Sequence, residues 1–358
     1  MSKIRKITVV TTLLASSVWL AGCGLFGGEE KKQIDPPTDV SLVDEQPALE
    51  ETNGDGQNVE GEKQAVENTI KRELYLIDKD GYVVPQTIEL PKSEGAAKQA
   101  LEYLVEKGPV TDMLPNGFRA VLPADTQVDV DIKDGVAIAD FSKEFKNYQK
   151  EDELKILQAI TWTLTQFESI EKVQLRLNGE KLTEMPVGGT PIHEELSRTS
   201  GINLDTSDVV DIMNTKALTV YYVGGEPGNY YYVPVTRRVS ENTEDNITAA
   251  ITELAKGPGM SSKLQTEFVP DIALVDKPVL EDGKVTLNFN ESILNSFKEK
   301  EKKVSQSLLN ALVLSLTEQK GIESVEIQVN GKADVVNEEG KKLSEPVVRP
   351  DQVNTGSF

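Results

Sequence analysis

The chain has 358 residues, of which 27% are charged, and a formal net charge of −21 at pH 7. Nucleic acids and anionic lipid headgroups repel such a surface, so we expect no nucleic-acid partner. A single histidine and a single cysteine argue against a disulfide framework, a transition-metal site or a serine–histidine–aspartate triad. We therefore predict that the chain is not an enzyme and holds no cofactor or metal.

The start of the chain has the three-part layout of a secretory signal. Three basic residues precede an apolar run over residues 7–20, which is shorter than the roughly 20 residues of a membrane-spanning helix. The next residues, Leu20, Ala21, Gly22 and Cys23, resemble the lipobox of bacterial lipoproteins. In a lipobox the cysteine thiol receives a diacylglyceryl group and becomes the first residue of the mature protein. Two acyl chains anchor a protein stably, so Cys23 is predicted to bind the membrane.

The segment after this cysteine is acidic and poor in aromatic residues. Residues 24–68 contain twelve Asp or Glu against three Lys, with prolines and a glycine-rich stretch. Such a composition cannot bury enough apolar surface to fold. We predict a signal peptide over residues 1–22 and a lipidated, disordered tether over residues 23–68. An acidic binding tail is the alternative for this segment.

The rest of the chain repeats one pattern twice. Five sequence blocks recur in the same order at offsets of 148 to 161 residues, which indicates a tandem duplication. The paired blocks are KGP at 107 and 256, DGVAIADFS at 134 with DGKVTLNFN at 282, IEKVQLRLNGE at 170 with IESVEIQVNGK at 322, KLTEMPV at 181 with KLSEPV at 342, and GYVVP ending at 85 with YYYVP ending at 234.

These blocks define two modules of the size of small domains. The first module is predicted over residues 69–190 and the second over residues 216–350. Residues 191–215 form a linker, flexible or packed, and residues 351–358 form a tail. The predicted fold class is α+β, with the order α-β-β-α-β in each module and an extra hairpin before it.

The first helix of each module is predicted from apolar residues at helical spacing. In module one this stripe follows a possible cap at Ser93, includes Leu104 and Val105, and stops at Gly108-Pro109. The helix of the second module is predicted to stop in the same way at its KGP block. A phosphate-binding loop is not predicted, because neither block has several glycines before a helix start.

The hairpin that follows is predicted from Asp134-Gly135, since a two-residue turn of this type needs positive φ at both positions. The apolar residues on either side then share one face with Phe141. The second copy, around Asp282-Gly283, is predicted to group Leu280 with its own apolar residues in the same way.

A longer helix and a last strand complete each module, and two helices over one sheet face would close a small core. Trp162 lies away from the apolar stripe of its helix, so it is interpreted as a candidate contact residue. The run Tyr230-Tyr231-Tyr232 is interpreted as a strand that is half buried and half exposed.

The opposite face of the first sheet is predicted to carry an interaction surface. Val136, Ile138 and Arg176 point there, whereas the second module has Lys284 and Thr286 in the places of the two aliphatic residues. Exposed aliphatic residues on a wet sheet face suggest docking, of a partner or of the other module. The alternative is that residues 74–90 fold over them as ordinary core.

The lipobox and the paired KGP, hairpin and NG blocks resemble the GerM family of sporulation and germination lipoproteins, which carry two GerMN modules. The resemblance covers nearly the whole chain. It implies modules similar to the ring-building motif of secretion-system rings, and a lipid-anchored protein on the outer face of the cell membrane. In the mother-cell membrane facing the forespore, it would support assembly of the channel complex in the space between the two cells. Only the lipidation role transfers to a residue, Cys23.

Three functional classes therefore remain open. The first is an assembly lipoprotein, whose partners would be sporulation channel proteins and whose modules allow self-association. The second is a surface protein that binds cell-wall glycan, with the tyrosine run as its best site. The third is a cell-wall hydrolase. Weak calcium binding at acidic loops such as residues 147–153 also stays open, although these loops lack the spacing of an EF-hand.

Overall fold

The structure is a computed structural model that describes residues 68–207, 212–243, 245–294 and 303–355. Its helices are α1 (Ala96–Glu102), α2 (Glu153–Leu164), α3 (Asn246–Lys256) and α4 (Gln306–Thr317). Its strands are β1 (Thr69–Asp78), β2 (Val83–Pro91), β3 (Phe118–Arg119), β4 (Val128–Lys133), β5 (Val136–Phe141), β6 (Lys172–Leu177), β7 (Glu180–Lys181), β8 (Thr215–Glu226), β9 (Asn229–Ser240), β10 (Val279–Glu281), β11 (Lys284–Phe289), β12 (Lys303–Val304), β13 (Ser324–Val329), β14 (Val336–Asn337) and β15 (Val347–Val348). Single 3₁₀ turns lie at Thr111–Met113, Lys143–Lys146, Lys150–Asp152, Arg198–Ser200, Ile212–Asn214 and Glu291–Ile293.

The predicted α+β architecture is confirmed in both modules. The first module has a four-stranded sheet in the order β4-β5-β6-β7, and the second has β10-β11-β13-β15. In each sheet the first two strands form an antiparallel hairpin. The following helix crosses over to a parallel third strand, β6 or β13. None of the helices in the described ranges is long and apolar enough to cross a membrane.

The Asp-Gly turns set the register of both sheets, as predicted. Asp134 and Gly135 have φ of 49° and 79°, and the second turn has 48° and 76°. Only this backbone twist closes a two-residue hairpin without splaying its strands. Ile132 therefore pairs with Ala137 and Val128 with Phe141.

The core of the second hairpin is smaller than predicted. Leu280 pairs with Val285, but its side chain is 48% exposed while Val285 is fully buried. The reason is the length of β10, which has three residues where β4 has six. Leu280 is therefore not a core residue.

The first helix of module one also differs from the prediction. It ends at Glu102, and Leu104 and Val105 are buried in a turn and in a bridge to Leu122. Ser93 is not its cap, because Gly95 occupies that position and no side chain caps the helix. In module two, α3 ends at the KGP block as predicted.

A second layer covers the helices on the side away from each sheet. The hairpin β1–β2 packs on α2, and the hairpin β8–β9 packs on α3 and α4. The prediction that Trp162 marks a contact surface is wrong for this reason. Trp162 is 1% exposed, lies 5.7 Å from the ring of Tyr75, and has the guanidinium of Arg198 at 4.4 Å.

The segment between the modules is packed where the structure describes it. Leu196 pairs with Val173 at the edge of the first sheet, and Ile202 is fully buried. The predicted signal peptide, the lipobox residues Leu20, Ala21 and Gly22, the lipidation residue Cys23 and nearly all of the predicted tether lie outside the described residues.

Candidate interaction surface

Alternation along β5 separates an inner from an outer side of the first sheet. Ala137, Ala139 and Phe141 are buried under the helices, with exposed fractions of 1% or less. Val136 and Ile138 alternate with them and are half-buried on the other side. A strand points successive side chains to opposite faces, so the buried core residues fix the direction of the other set.

We call this other side the first outer face and define it by Val136, Ile138, Asp140, Gln174 and Arg176. The register places Ile138 beside Gln174, and Asp140 beside Arg176. The two aliphatic side chains belong to neither of the large hydrophobic clusters, nor to the residues packed against them.

The alternative in which residues 74–90 cover this face is wrong. Those residues form most of the β1–β2 hairpin, which packs on α2 and on β9 of the second module instead.

Polar groups of the first outer face include one buried donor without an acceptor. Asp140 accepts a hydrogen bond of 2.9 Å from the backbone N–H of Gly179. The Nε of Arg176 is buried and has no hydrogen-bond acceptor within the described residues. A buried donor without an acceptor is costly, but this nitrogen is closed to solvent, so a docked partner would reach the rest of the guanidinium of the half-buried Arg176. The face therefore offers two aliphatic side chains beside a guanidinium suited to a carboxylate.

The corresponding face of the second module satisfies its own polar groups. Lys284 forms an ion pair of 3.0 Å with Glu326. Asn288 donates to Asp276 and accepts from the backbone N–H of Gly331 at 2.9 Å. With Lys284 and Thr286 in place of the two aliphatic residues, and Gln328 in place of Arg176, this face has no counterpart of the apolar and cationic surface of module one.

The tyrosine run does not form an aromatic cleft. Tyr231 is 7% exposed and its hydroxyl donates to Asp78 at 2.8 Å, whereas Tyr230 is 54% exposed. Tyr232 is half-buried, and its hydroxyl accepts from Asn310. This confirms the prediction of a strand that is half buried and half exposed.

One carboxylate has a strongly shifted pKa, and its role is structural. Burial would raise the pKa of Glu153, but its hydrogen bonds hold that pKa at about 2. Its oxygens accept from the backbone N–H groups of Gly188 and Thr190 and from the hydroxyls of Tyr148 and Thr190. A carboxylate so ionised and so enclosed is a poor general acid or base.

Sequence reasoning missed Glu153. The sequence signal that could have found it is an acidic residue at the first position of a helix. The equivalent residue in the other module is Ser305. No group of three or more His, Cys, Asp or Glu residues within the described ranges is placed to hold a metal ion.

Comparison with known proteins identifies the family. The model of the Germane family, described as sporulation and spore germination, matches residues 73–183 and 219–335. The chain belongs to this family. The spore germination protein GerM of Bacillus subtilis is 56% identical to it over the full length of both chains.

Two solved structures are similar to this Germane chain. The tandem GerMN domains of the sporulation protein GerM from Bacillus subtilis superimpose with a TM-score of 0.76, at 61% identity, over 81% of this chain and all of that one. The first GerMN domain of the same protein is 74% identical, with a TM-score of 0.36, over 36% of this chain and 98% of that one. The chain is thus a homologue of a sporulation and germination protein and shares its tandem fold.

Proposed function

We propose that this protein is a non-enzymatic lipoprotein that supports assembly of the channel complex between mother cell and forespore. It is needed for normal spore formation and germination. It is anchored through Cys23 to the outer face of the mother-cell membrane, and its modules face the space between the two cells. Its membership of a sporulation and germination family supports this role.

The observation that carries the proposal is the first outer face. Val136 and Ile138 stay only half-buried beside Arg176, although two helices and a hairpin cover the other side of the module. Contact of apolar side chains with water is unfavourable, so a partner that covers them gains free energy. We infer that a channel protein with apolar and acidic side chains binds here.

The anchor is tested by removing the thiol. The Cys23→Ser variant should no longer be lipidated, and the protein should lose its stable membrane attachment because two acyl chains supply it. Membrane fractionation of sporulating cells measures this loss. A Cys23→Ser protein that is still processed and still sediments with membranes contradicts the anchor.

The docking face is tested by a matched pair of substitutions. Ile138→Glu places a charge on the first outer face, and Thr286→Glu places it at the equivalent position of the second module. We expect Ile138→Glu to abolish co-purification with the channel proteins and to lower spore yield, while Thr286→Glu changes neither.

Equal thermal midpoints for both variants and the parent protein show that the fold is kept. If both variants assemble normally, or if both fail equally, the first outer face is not the docking site.

A further inference from the structure

The two modules meet along the outer edges of strands β2 and β9, and an asparagine side chain lies between the edges. Asn203 donates through Nδ2 to the carbonyls of Val83 at 2.7 Å and Pro234 at 2.8 Å. Its Oδ1 accepts from the N–H of Val83 at 2.8 Å. One amide thus replaces the hydrogen bonds that a paired strand would make.

A second asparagine repeats this arrangement from the other module. Asn354 donates through Nδ2 to the carbonyls of Pro85 at 2.7 Å and Tyr232 at 2.9 Å. Its Oδ1 accepts from the N–H of Tyr232 at 2.8 Å. Each asparagine side chain therefore makes three hydrogen bonds, shared between the two strands.

The two sets of contacts are related by a pseudo-two-fold. In the repeat, Val83 corresponds to Tyr232 and Pro85 to Pro234, each at an offset of 149 residues. In its own module, each asparagine binds Val83 or the equivalent Tyr232. In the other module, it binds the equivalent proline. Exchange of the modules maps one set of contacts onto the other, as in an isologous dimer.

The segments that carry the asparagines are also exchanged. We call residues 198–205 the first tail and residues 349–354 the second tail. Ile202 of the first tail donates its N–H to the Thr236 hydroxyl of module two at 2.9 Å. Val353 of the second tail donates its N–H to the equivalent Thr87 hydroxyl of module one at 3.2 Å. Each tail therefore lies on the hairpin of the other module.

Charged residues at the junction break this symmetry. Glu318 is buried at the end of α4, 2.6 Å from Arg198 of the first tail and 3.6 Å from Arg349 of the second. The equivalent position in module one is Gln166. Burial would raise the pKa of Glu318, but the two guanidinium groups hold it below its usual value. A pair of first modules would keep the Glu73 carboxylate, which lies 3.7 Å from Arg349 here, but would have no carboxylate in the place of Glu318.

We propose that the hairpin edge and tail of each module form a docking surface for a second module of the same kind. The tandem fills both surfaces within one chain, and Glu318 strengthens the contact because it pairs with the arginines of both tails. An isologous contact closes on itself, so association of whole chains must use other surfaces, such as the first outer face. The proposal does not depend on the role in channel assembly.

The test cuts the chain and asks whether the halves stay together. We would insert a protease site between Ser207 and Ile212 in residues 68–358, the part that matches the solved tandem of the relative. After cleavage the halves should sediment as one species at about 10 μM, because the two tails still cross the junction. Separation of the unchanged halves at that concentration would overturn the proposal.

Substitutions then assign the contact. Asn203→Ala and Asn354→Ala should each raise the dissociation constant of the cut halves at least roughly tenfold, since each leaves strand groups without partners. Glu318→Gln introduces the residue that module one has at this position, and it should raise the dissociation constant of the cut halves by a similar factor.

The matched control is Asn337→Ala. Asn337 is 3% exposed and also makes several hydrogen bonds, but its partners, Lys341 and Gln306, lie in the same module. It should lower thermal stability and leave the dissociation constant unchanged. If it weakens the halves as much as Asn203→Ala, or if the junction variants bind unchanged, the asparagines and Glu318 do not define the docking surface.

Discussion

The two modules share one fold, yet their sheets differ on the side that faces away from the helices. Phe141 and Phe289 occupy equivalent inner positions and are both buried to 1% or less. Leu287, on the same inner face as Phe289, is also buried. The outer positions differ, with Ile138 in module one and Thr286 at the equivalent place in module two. Packing under two helices restricts the inner face in both copies, whereas the outer face is free to diverge with function.

A second difference lies at the start of the crossover helix. In module one, Glu153 binds the loop at residues 187–190 through its carboxylate. In module two, the equivalent Ser305 caps α4 through Leu308 N–H and also contacts Glu267. The same place is thus stabilised by an enclosed charge in one copy and by a hydroxyl in the other. At this place in the fold, acid sensitivity should therefore belong to module one.

The largest expected effect comes from the shared inner face. Phe141→Ala and Phe289→Ala should each lower the free energy of unfolding by about 3–5 kcal/mol, since each leaves a core cavity. Phe141 also stacks on Phe145 at a centroid distance of 4.5 Å, so its loss should be the greater of the two. Urea unfolding measures both, and in residues 68–358 the fluorescence of Trp162 reports on module one. A loss below about 1 kcal/mol in either variant would show that the inner faces are not equivalent cores.

The sequence predicted the features that local interactions determine. The Asp-Gly turns and the alternation around Phe141 need only neighbouring residues, and the structure has both. The burial of Trp162 depends on the hairpin β1–β2, which is distant in sequence and docks on the far side of α2. The early end of α1 at Glu102 likewise reflects a bridge between Val105 and Leu122.

The junction between the modules shows the same limit. Asn203 and Asn354 follow their modules at an offset of 151 residues, within the range of the other repeats. The sequence contains this spacing but predicts no contact from it, because the contacts involve strand edges more than 100 residues away. Only the fold shows that the two tails cross.

The next effect concerns the enclosed carboxylate. Glu153→Gln should lower the free energy of unfolding by roughly 3 kcal/mol, because an amide cannot accept all the hydrogen bonds that the carboxylate accepts. Ser305→Ala, the matched change in module two, should cost about 1 kcal/mol, as the loss of a helix cap does. Thermal and urea unfolding compare them. If both variants lose the same free energy of unfolding, the two helix starts are not stabilised to different extents.

Acid should reveal the same contrast with a smaller effect. The pKa of Glu153 is lowered to about 2 in the folded protein, so its contribution to stability is present above its unfolded pKa and is lost as the pH falls towards 2. Between pH 5 and pH 3 the protein should lose roughly 2 kcal/mol from this residue. Unfolding of the Glu153→Gln variant over that range should lack this part of the slope. If the variant shows the full slope of the parent protein, other carboxylates cause the acid sensitivity.

The smallest expected effect on stability comes from exchanging the outer faces. Val136→Lys with Ile138→Thr gives module one the residues that module two has at these positions, Lys284 and Thr286. Both positions lie outside the hydrophobic clusters, so the free energy of unfolding should change by no more than about 0.5 kcal/mol per substitution. The reverse exchange, Lys284→Val with Thr286→Ile, breaks a partly buried ion pair and should cost about 1 kcal/mol.

Partner binding should respond strongly to the exchange that hardly changes stability. The first exchange removes the two aliphatic side chains beside Arg176 and should abolish co-purification with the channel proteins, although urea unfolding barely changes. The reverse exchange should not create binding at module two, because Gln328 stands in the place of Arg176 on that face. A first exchange that unfolds the module as severely as Phe141→Ala would show that Val136 and Ile138 belong to the core, and the contrast between the two outer faces would then be one of packing.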